Sequence, residues 1–167
     1  MQIKARQINQ LLGGYAALDS IMVQADGKME RKFFKISGGT RLKIASNRSR
    51  LNKAHAAFED ARKEIIEAHG TGKLAKEHPE KLGPNGDFDR SKLTPEEKAV
   101  IEEAEKEIEE ALDENVEVNL SPITAHGLRL DVNEIPTDAL AVLLEHDLIA
   151  GLEDAEQSEN APKEAKK

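Results

Sequence analysis

Residues 40–69, TRLKIASNRSRLNKAHAAFEDARKEIIEAH, decide how the rest of the chain is read. Taken in sevens they place Ile44, Leu51, Phe58 and Ile65 in one row, and Asn47, Ala54, Ala61 and Ala68 three residues after each. Large apolar residues beside a row made mostly of alanine predict one long helix with a narrow seam, shaped for close contact with a second helix. Ser37-Gly38-Gly39-Thr40 breaks whatever precedes it and offers Thr40 as N-cap, and Gly70-Thr71-Gly72 stops the helix after His69.

A partner for that seam lies downstream. Thr94-Pro95-Glu96-Glu97 carries a threonine cap, proline at the first helical position and glutamate at the third. Ile101, Ala104, Ile108 and Ala111 then repeat the alternation of large residue and alanine. Two such helices predict an antiparallel helical hairpin. Between them, residues 70–93 read as a long flexible loop with a turn at Pro84-Asn85-Gly86-Asp87, either mobile or functional.

The flanks are less regular. Met1 to Lys4 reads as a short strand, and Ala5 to about Gln24 as an amphipathic helix ended by a turn at Ala25-Asp26-Gly27-Lys28. Gly13-Gly14 interrupts that helix, as a kink or a close crossing. Met29 to Ser37 is extended or a turn of helix; its pattern decides neither. Val116, Val118 and Leu120 alternate with polar residues, and so do Leu128, Leu130 and Val132, which predicts two strands able to pair with each other and with Met1 to Lys4. A short C-terminal helix starts at Ile135-Pro136-Thr137-Asp138. The fold class is therefore α+β, mostly helical, in a single domain of residues 1–152, with 153–167 a disordered charged tail.

Composition narrows the function. Charged residues make up 34% and aromatics 3%, and the net charge is −8. There is no Cys, which removes disulfides, thiolate catalysis and cysteine-type zinc sites. No apolar run approaches the ~20 residues of a membrane span. The chain reads as soluble and cytoplasmic, without a membrane. Basic residues crowd positions 28–53, whereas Glu96 to Glu117 is densely acidic. Phe33 and Phe34 beside Lys32 and Lys35 suit contact with nucleic acid, but an internal acidic complement makes ion pairing within the chain the stronger reading. No catalytic, cofactor or metal site stands out. Asp87-Phe88-Asp89 lacks the ligand ladder of a calcium loop. His55 and Glu59 sit four apart with nothing to complete a metal set, and the contiguous Glu145-His146-Asp147 cannot converge on one substrate atom.

Residues 51–70, Leu51 to Gly70, resemble the long helix of small tailed-bacteriophage proteins of unknown function. The resemblance extends over Glu96 to Leu112, Val116-Glu117-Val118 and the leucine-rich Ile135 to Ile149, and so over most of Met1 to Leu152. It brings no catalytic residues. It implies a phage-encoded structural or assembly accessory protein, in the host cytoplasm or the virion.

The expected function is thus a non-catalytic protein–protein interaction module that binds a phage structural or host protein, or a second copy of itself. Its contact residues are expected at Phe33, Phe34, Lys32 and Lys35 and at Pro84 and Phe88. The alternative is a small acidic inhibitor of a host enzyme or defence protein, mimicking DNA through Glu102, Glu103, Glu107, Glu110 and Asp113.

Overall fold

The computed structural model describes residues 1–25 and 27–151; the expected tail at 153–167 and Leu152 lie outside them. The fold is mostly helical α+β. In chain order it runs β1 (Gln2–Lys4), α1 (Ile8–Ala17), β2 (Ser20–Ala25), β3 (Lys28–Phe33), α2 (Gly38–Ala68), α3 (Thr71–Glu77), α4 (Pro95–Asp113), β4 (Asn115–Glu117), β5 (Ile123–Thr124), α5 (Ala125–Leu128), α6 (Thr137–Glu145) and β6 (Ile149–Ala150). The chain forms two compact units. One comprises Met1, Gln7–Asn52 and the described residues from Glu117 onward; the other comprises Gln2–Arg6 and Lys53–Val116.

In the first unit α1 ends at Ala17, short of the expected Gln24, because the chain turns into a β-hairpin. β2 and β3 pair antiparallel from Ser20 opposite Phe33 to Ala25 opposite Lys28. Gly27, just before β3, has φ 77°. Asp-Gly between alternating apolar residues is a strong short-range hairpin signal, and the β-branched Ile21 and Val23 favour the strand. The helical spacing of Ile21 and Met22 after Leu18 was the weaker pattern. Gly14 is the close crossing: a Cβ there would lie 3.4 Å from the Ala139 carbonyl oxygen and from Leu143 Cγ on α6.

α2 begins two residues earlier than expected. Ser37, not Thr40, does the capping: its Oγ accepts from Thr40 N at 3.2 Å, and its carbonyl accepts from Arg41 N at 3.0 Å. Thr40 is buried against Gly127, where an added Cβ would collide with Thr40 Oγ1. The strand expected at 128–132 does not form. Thr124 Oγ1 accepts from Gly127 N at 3.1 Å and starts the short α5, and Arg129 at φ 52° turns the chain out of it. β5 instead pairs in parallel with β6, Ile123 opposite Ile149.

The buried amide of Asn47 ties this unit together. Its Nδ2 donates to Tyr15 Oη and to the Ser121 carbonyl, both at 2.8 Å, and its Oδ1 accepts from Ser121 N at 3.0 Å. α1, α2 and the segment before β5 thus share one side chain. Ile8, Leu11, Leu18, Ile44, Leu51, Leu128 and Leu143 are also buried in this unit.

In the second unit β1 pairs with β4. Hydrogen bonds from Ala5 N to Glu114 O (3.1 Å) and from Val118 N to Met1 O (2.9 Å) flank the pair and make it antiparallel. α4 begins as expected: Thr94 Oγ1 accepts from Glu97 N at 3.2 Å, and Glu97 Oε2 accepts from Thr94 N at 2.9 Å. Residues 70–93, expected as a loop, are largely built. Gly70 at φ 69° separates α2 from α3, and 3₁₀ turns occupy Pro79–Lys81 and Arg90–Lys92. Leu82 bridges Phe88, with Gly83 N donating to Asp87 O at 2.7 Å and Asp89 N to Lys81 O at 2.8 Å.

The expected seam drifts across α2. Down the alanine row, Asn47 is buried, Ala54 half-buried, and Ala61 and Ala68 exposed, while Ile44, Leu51 and Ile65 in the other row are buried. A straight helix loses about 20° per heptad against a seven-residue repeat. Over three heptads the alanines therefore rotate away from the buried side and Ile65 takes their place. In this unit Ile3, Ala5, Leu93, Ile101 and Ala104 are also buried.

Asn47→Ala should lower stability by at least about 2 kcal/mol in denaturant unfolding, because it orphans buried donors and acceptors. Burial pushes the Tyr15 hydroxyl up from 10.0 to about 12, against the opposing effect of the bond from Asn47. A raised folded value means this contribution is intact below pH 10 and disappears as pH climbs through 12, about 3 kcal/mol in all. Tyr15 is the only Tyr and there is no Trp, so phenolate absorbance during an alkaline titration should show that single residue ionising together with loss of structure. Tyr15→Phe should flatten the stability profile above pH 10.

Candidate interaction surface

The β2–β3 hairpin is anchored at its base and open elsewhere. Phe34 N donates to Asp19 O at 3.0 Å, extending the ladder by one pair beyond the strands. Arg41 clamps both sides, with Nη1 on Asp19 Oδ1 at 2.8 Å and Nη2 on the Phe34 carbonyl at 2.7 Å. Asn133 holds the next residue, accepting from Lys35 N at 3.0 Å and donating to Lys35 O at 3.3 Å. All six residues of β3 are exposed.

Strand alternation sorts the hairpin into two faces. Cross-strand partners share a face, so Met22 and Arg31, Gln24 and Met29, and Ser20 and Phe33 stand on one side. On that side Met22 is 56%, Met29 62% and Phe33 56% exposed, and the Arg31 guanidinium lies 5.6 Å from the Phe33 ring centroid. Ile21 and Val23 share the other face with Lys28, Glu30 and Lys32. The result is an exposed apolar patch on a net-cationic hairpin carried by an acidic protein.

The sequence-based candidates divide here. Phe33, Lys32 and Lys35 are exposed as expected, but Phe34 is a core residue, 4% exposed. Adjacent residues in a strand point to opposite sides, so Phe33 and Phe34 cannot both face a partner. Met22, Met29 and Arg31 complete the patch and were missed. Their signal was the alternation on either side of Asp-Gly, hidden by reading positions 5–24 as one helix. Pro84 is exposed and Phe88 half-buried, in the hydrogen-bonded turn described above and not beside a comparable patch.

The basic residues do not pair with the acidic helix as expected. Arg41, Lys43 and Arg50 donate to the backbone carbonyls of Phe34, Pro122 and Asn119. The acids of α4 have other partners. Arg90 binds Glu102 at 3.1 Å and Glu105 at 2.6 Å, His69 meets Glu107 at 2.8 Å, and Lys106 meets Glu110 at 3.6 Å. Lys4 and Arg6 reach Asp113 at 3.0 and 2.9 Å, and the Lys4 hydrogen bond, with Arg6 nearby, holds that carboxyl below its ordinary range. An open hollow on α4 is lined by Lys106, Glu109, Glu110, Asp113 and Glu114.

The remaining polar candidates are engaged locally. His55 faces Glu59 at 3.9 Å and His78 faces Glu80 at 3.1 Å. Asp89 caps a 3₁₀ turn, accepting from Ser91 N and Oγ at 3.1 and 2.6 Å. Among the described residues no three His, Asp or Glu side chains are grouped to hold a metal ion, and no helix is long and apolar enough to cross a membrane. No protein-family model, curated protein or solved structure matches the chain.

Phe33→Ala should change stability by less than about 0.5 kcal/mol, as a surface substitution, whereas Phe34→Ala should cost about 3–5 kcal/mol. Chemical denaturation of the two variants checks this. Equal losses would place Phe33 in the core.

Proposed function

We propose that this protein is a non-catalytic protein–protein interaction module whose contact element is the β2–β3 hairpin. The observation that supports it most is the set of three large apolar side chains, Met22, Met29 and Phe33, each more than half exposed on one face of a strand pair whose base is clamped. Interface cores favour aromatic residues, Met and Arg, and Arg31 lies over the Phe33 ring in that patch. Lys28 and Lys32 place positive charge on the opposite face of the hairpin. A preorganised base spares a partner much of the cost of ordering the element.

The tailed-phage resemblance supplies the proposed setting: an assembly or structural accessory protein in the host cytoplasm or the virion. DNA mimicry by α4 receives less support. Three of its five proposed acids, Glu102, Glu110 and Asp113, already have an intramolecular cation, and Glu107 is bonded to the His69 ring.

A triple Met22→Thr, Met29→Thr, Phe33→Thr variant tests the reading. It should keep its helical circular dichroism and lose the proteins captured by the tagged wild type from infected cells. Capture that survives the triple change, but falls steeply with salt and with Glu-to-Gln changes on α4, would transfer the function to the acidic helix.

A further inference from the structure

The free edge of β3 has a self-complementary pattern, and we infer that the hairpin's partner is the hairpin of a second copy. This rests on the hairpin being the contact element and adds its occupant and register.

The Phe34–Asp19 hydrogen bond fixes which backbone groups are available. Bonded and non-bonded pairs alternate along an antiparallel ladder. With 34:19 bonded, the pairs 32:21, 30:23 and 28:25 are also bonded, so Met29, Arg31 and Phe33 direct their N–H and C=O groups away from β2. An exposed strand edge is a template for another strand, and a two-stranded hairpin alone is marginal in water, whereas four strands with an apolar face are not.

Two β3 strands related by a two-fold axis normal to the sheet keep matching faces on the same side. Centring the axis on Arg31 sets Met29 opposite Phe33 of the second copy, twice, and Glu30 opposite its Lys32, twice. All three outward residues of each strand then enter bonded pairs. The apolar patches of both copies join on one face, and the Glu30–Lys32 pairs lie on the other. The cost is Arg31 facing its own symmetry mate, eased by its position over the Phe33 ring. Centring on Glu30 instead would oppose Glu30 to itself and Lys28 to Lys32 twice, six charged residues in three repulsive pairs. Of these two registers, the one centred on Arg31 opposes fewer like charges and pairs Glu30 with Lys32, and it is the one inferred.

The full chain should sediment as a concentration-dependent dimer. Glu30→Lys and Lys32→Glu should each weaken the dimer about tenfold, through two cross-strand charge pairs, and the double exchange Glu30→Lys with Lys32→Glu should restore it. The absence of native Cys permits a register test. Arg31→Cys should form an interchain disulfide on oxidation, since bonded antiparallel pairs place Cα atoms about 5.5 Å apart. Glu30→Cys, offset by two residues to roughly 8 Å from its mate, should not. A monomer at all concentrations, a charge exchange without rescue, or crosslinking through position 30 but not 31 would overturn the inference. If the chain is monomeric while the triple Thr variant still loses a captured protein, only the self-pairing is wrong. If that capture is also unaffected, the hairpin reading itself falls.

Discussion

One buried amide constrains the first unit more than any other group. Asn47 takes a position in α2 where a heptad pattern would put an alanine or leucine, and it uses both ends of its side chain. The irregular segment between β4 and β5 has few backbone partners of its own, so its Ser121 N–H and C=O depend on Asn47. Tyr15, fully buried, depends on it as well. A leucine could fill the space but would strand three polar groups, and inside a protein such groups are costly to leave unpaired. The buried amide thus confers a unique alignment of α1, α2 and the chain near Ser121.

The same unit treats its hairpin in the opposite way. Arg41 locks the first pair of residues beyond the strands, Asn133 holds Lys35 next to it, and Phe34 is buried in the core. Past that point no apolar residue of β3 is buried. A surface with Met22, Met29 and Phe33 exposed on one face is unfavourable in isolation, roughly in proportion to its apolar area. A firm base thus carries an unfavourable surface.

Charge is organised locally, despite its segregation along the chain. The acids of α4 are met by Lys4, Arg6 and Arg90 and by the His69 ring, whereas the basic first half of α2 satisfies backbone carbonyls around it. Exposed ion pairs of this sort contribute about 0–1 kcal/mol each. Their effect is to reduce the field of the acidic run, while the first half of α2 keeps its positive charge.

Local rules alone determined several elements. The capping box at Thr94 and Glu97, Pro95 after it, and Gly70 at the end of α2 act within a few residues, so their outcome can be read without the fold. The mostly helical α+β class, the strand at Gln2–Lys4 and the helix from Thr137 follow in the same way. Other outcomes are decided by tertiary structure because neighbouring patterns compete. Ile21 and Met22 fit a helix after Leu18 as well as a strand before Asp-Gly, and the hairpin prevails once β3 can pair with β2. Leu128, Leu130 and Val132 alternate like a strand, yet Thr124 caps a helical turn there and Arg129 reverses the chain. The proposed contact surface was half legible: Phe33, Lys32 and Lys35 stood out by composition. Phe34 stood out equally, and only the pleat, set by the bond to Asp19, sends it inward while Met22 and Met29 join Phe33 outside.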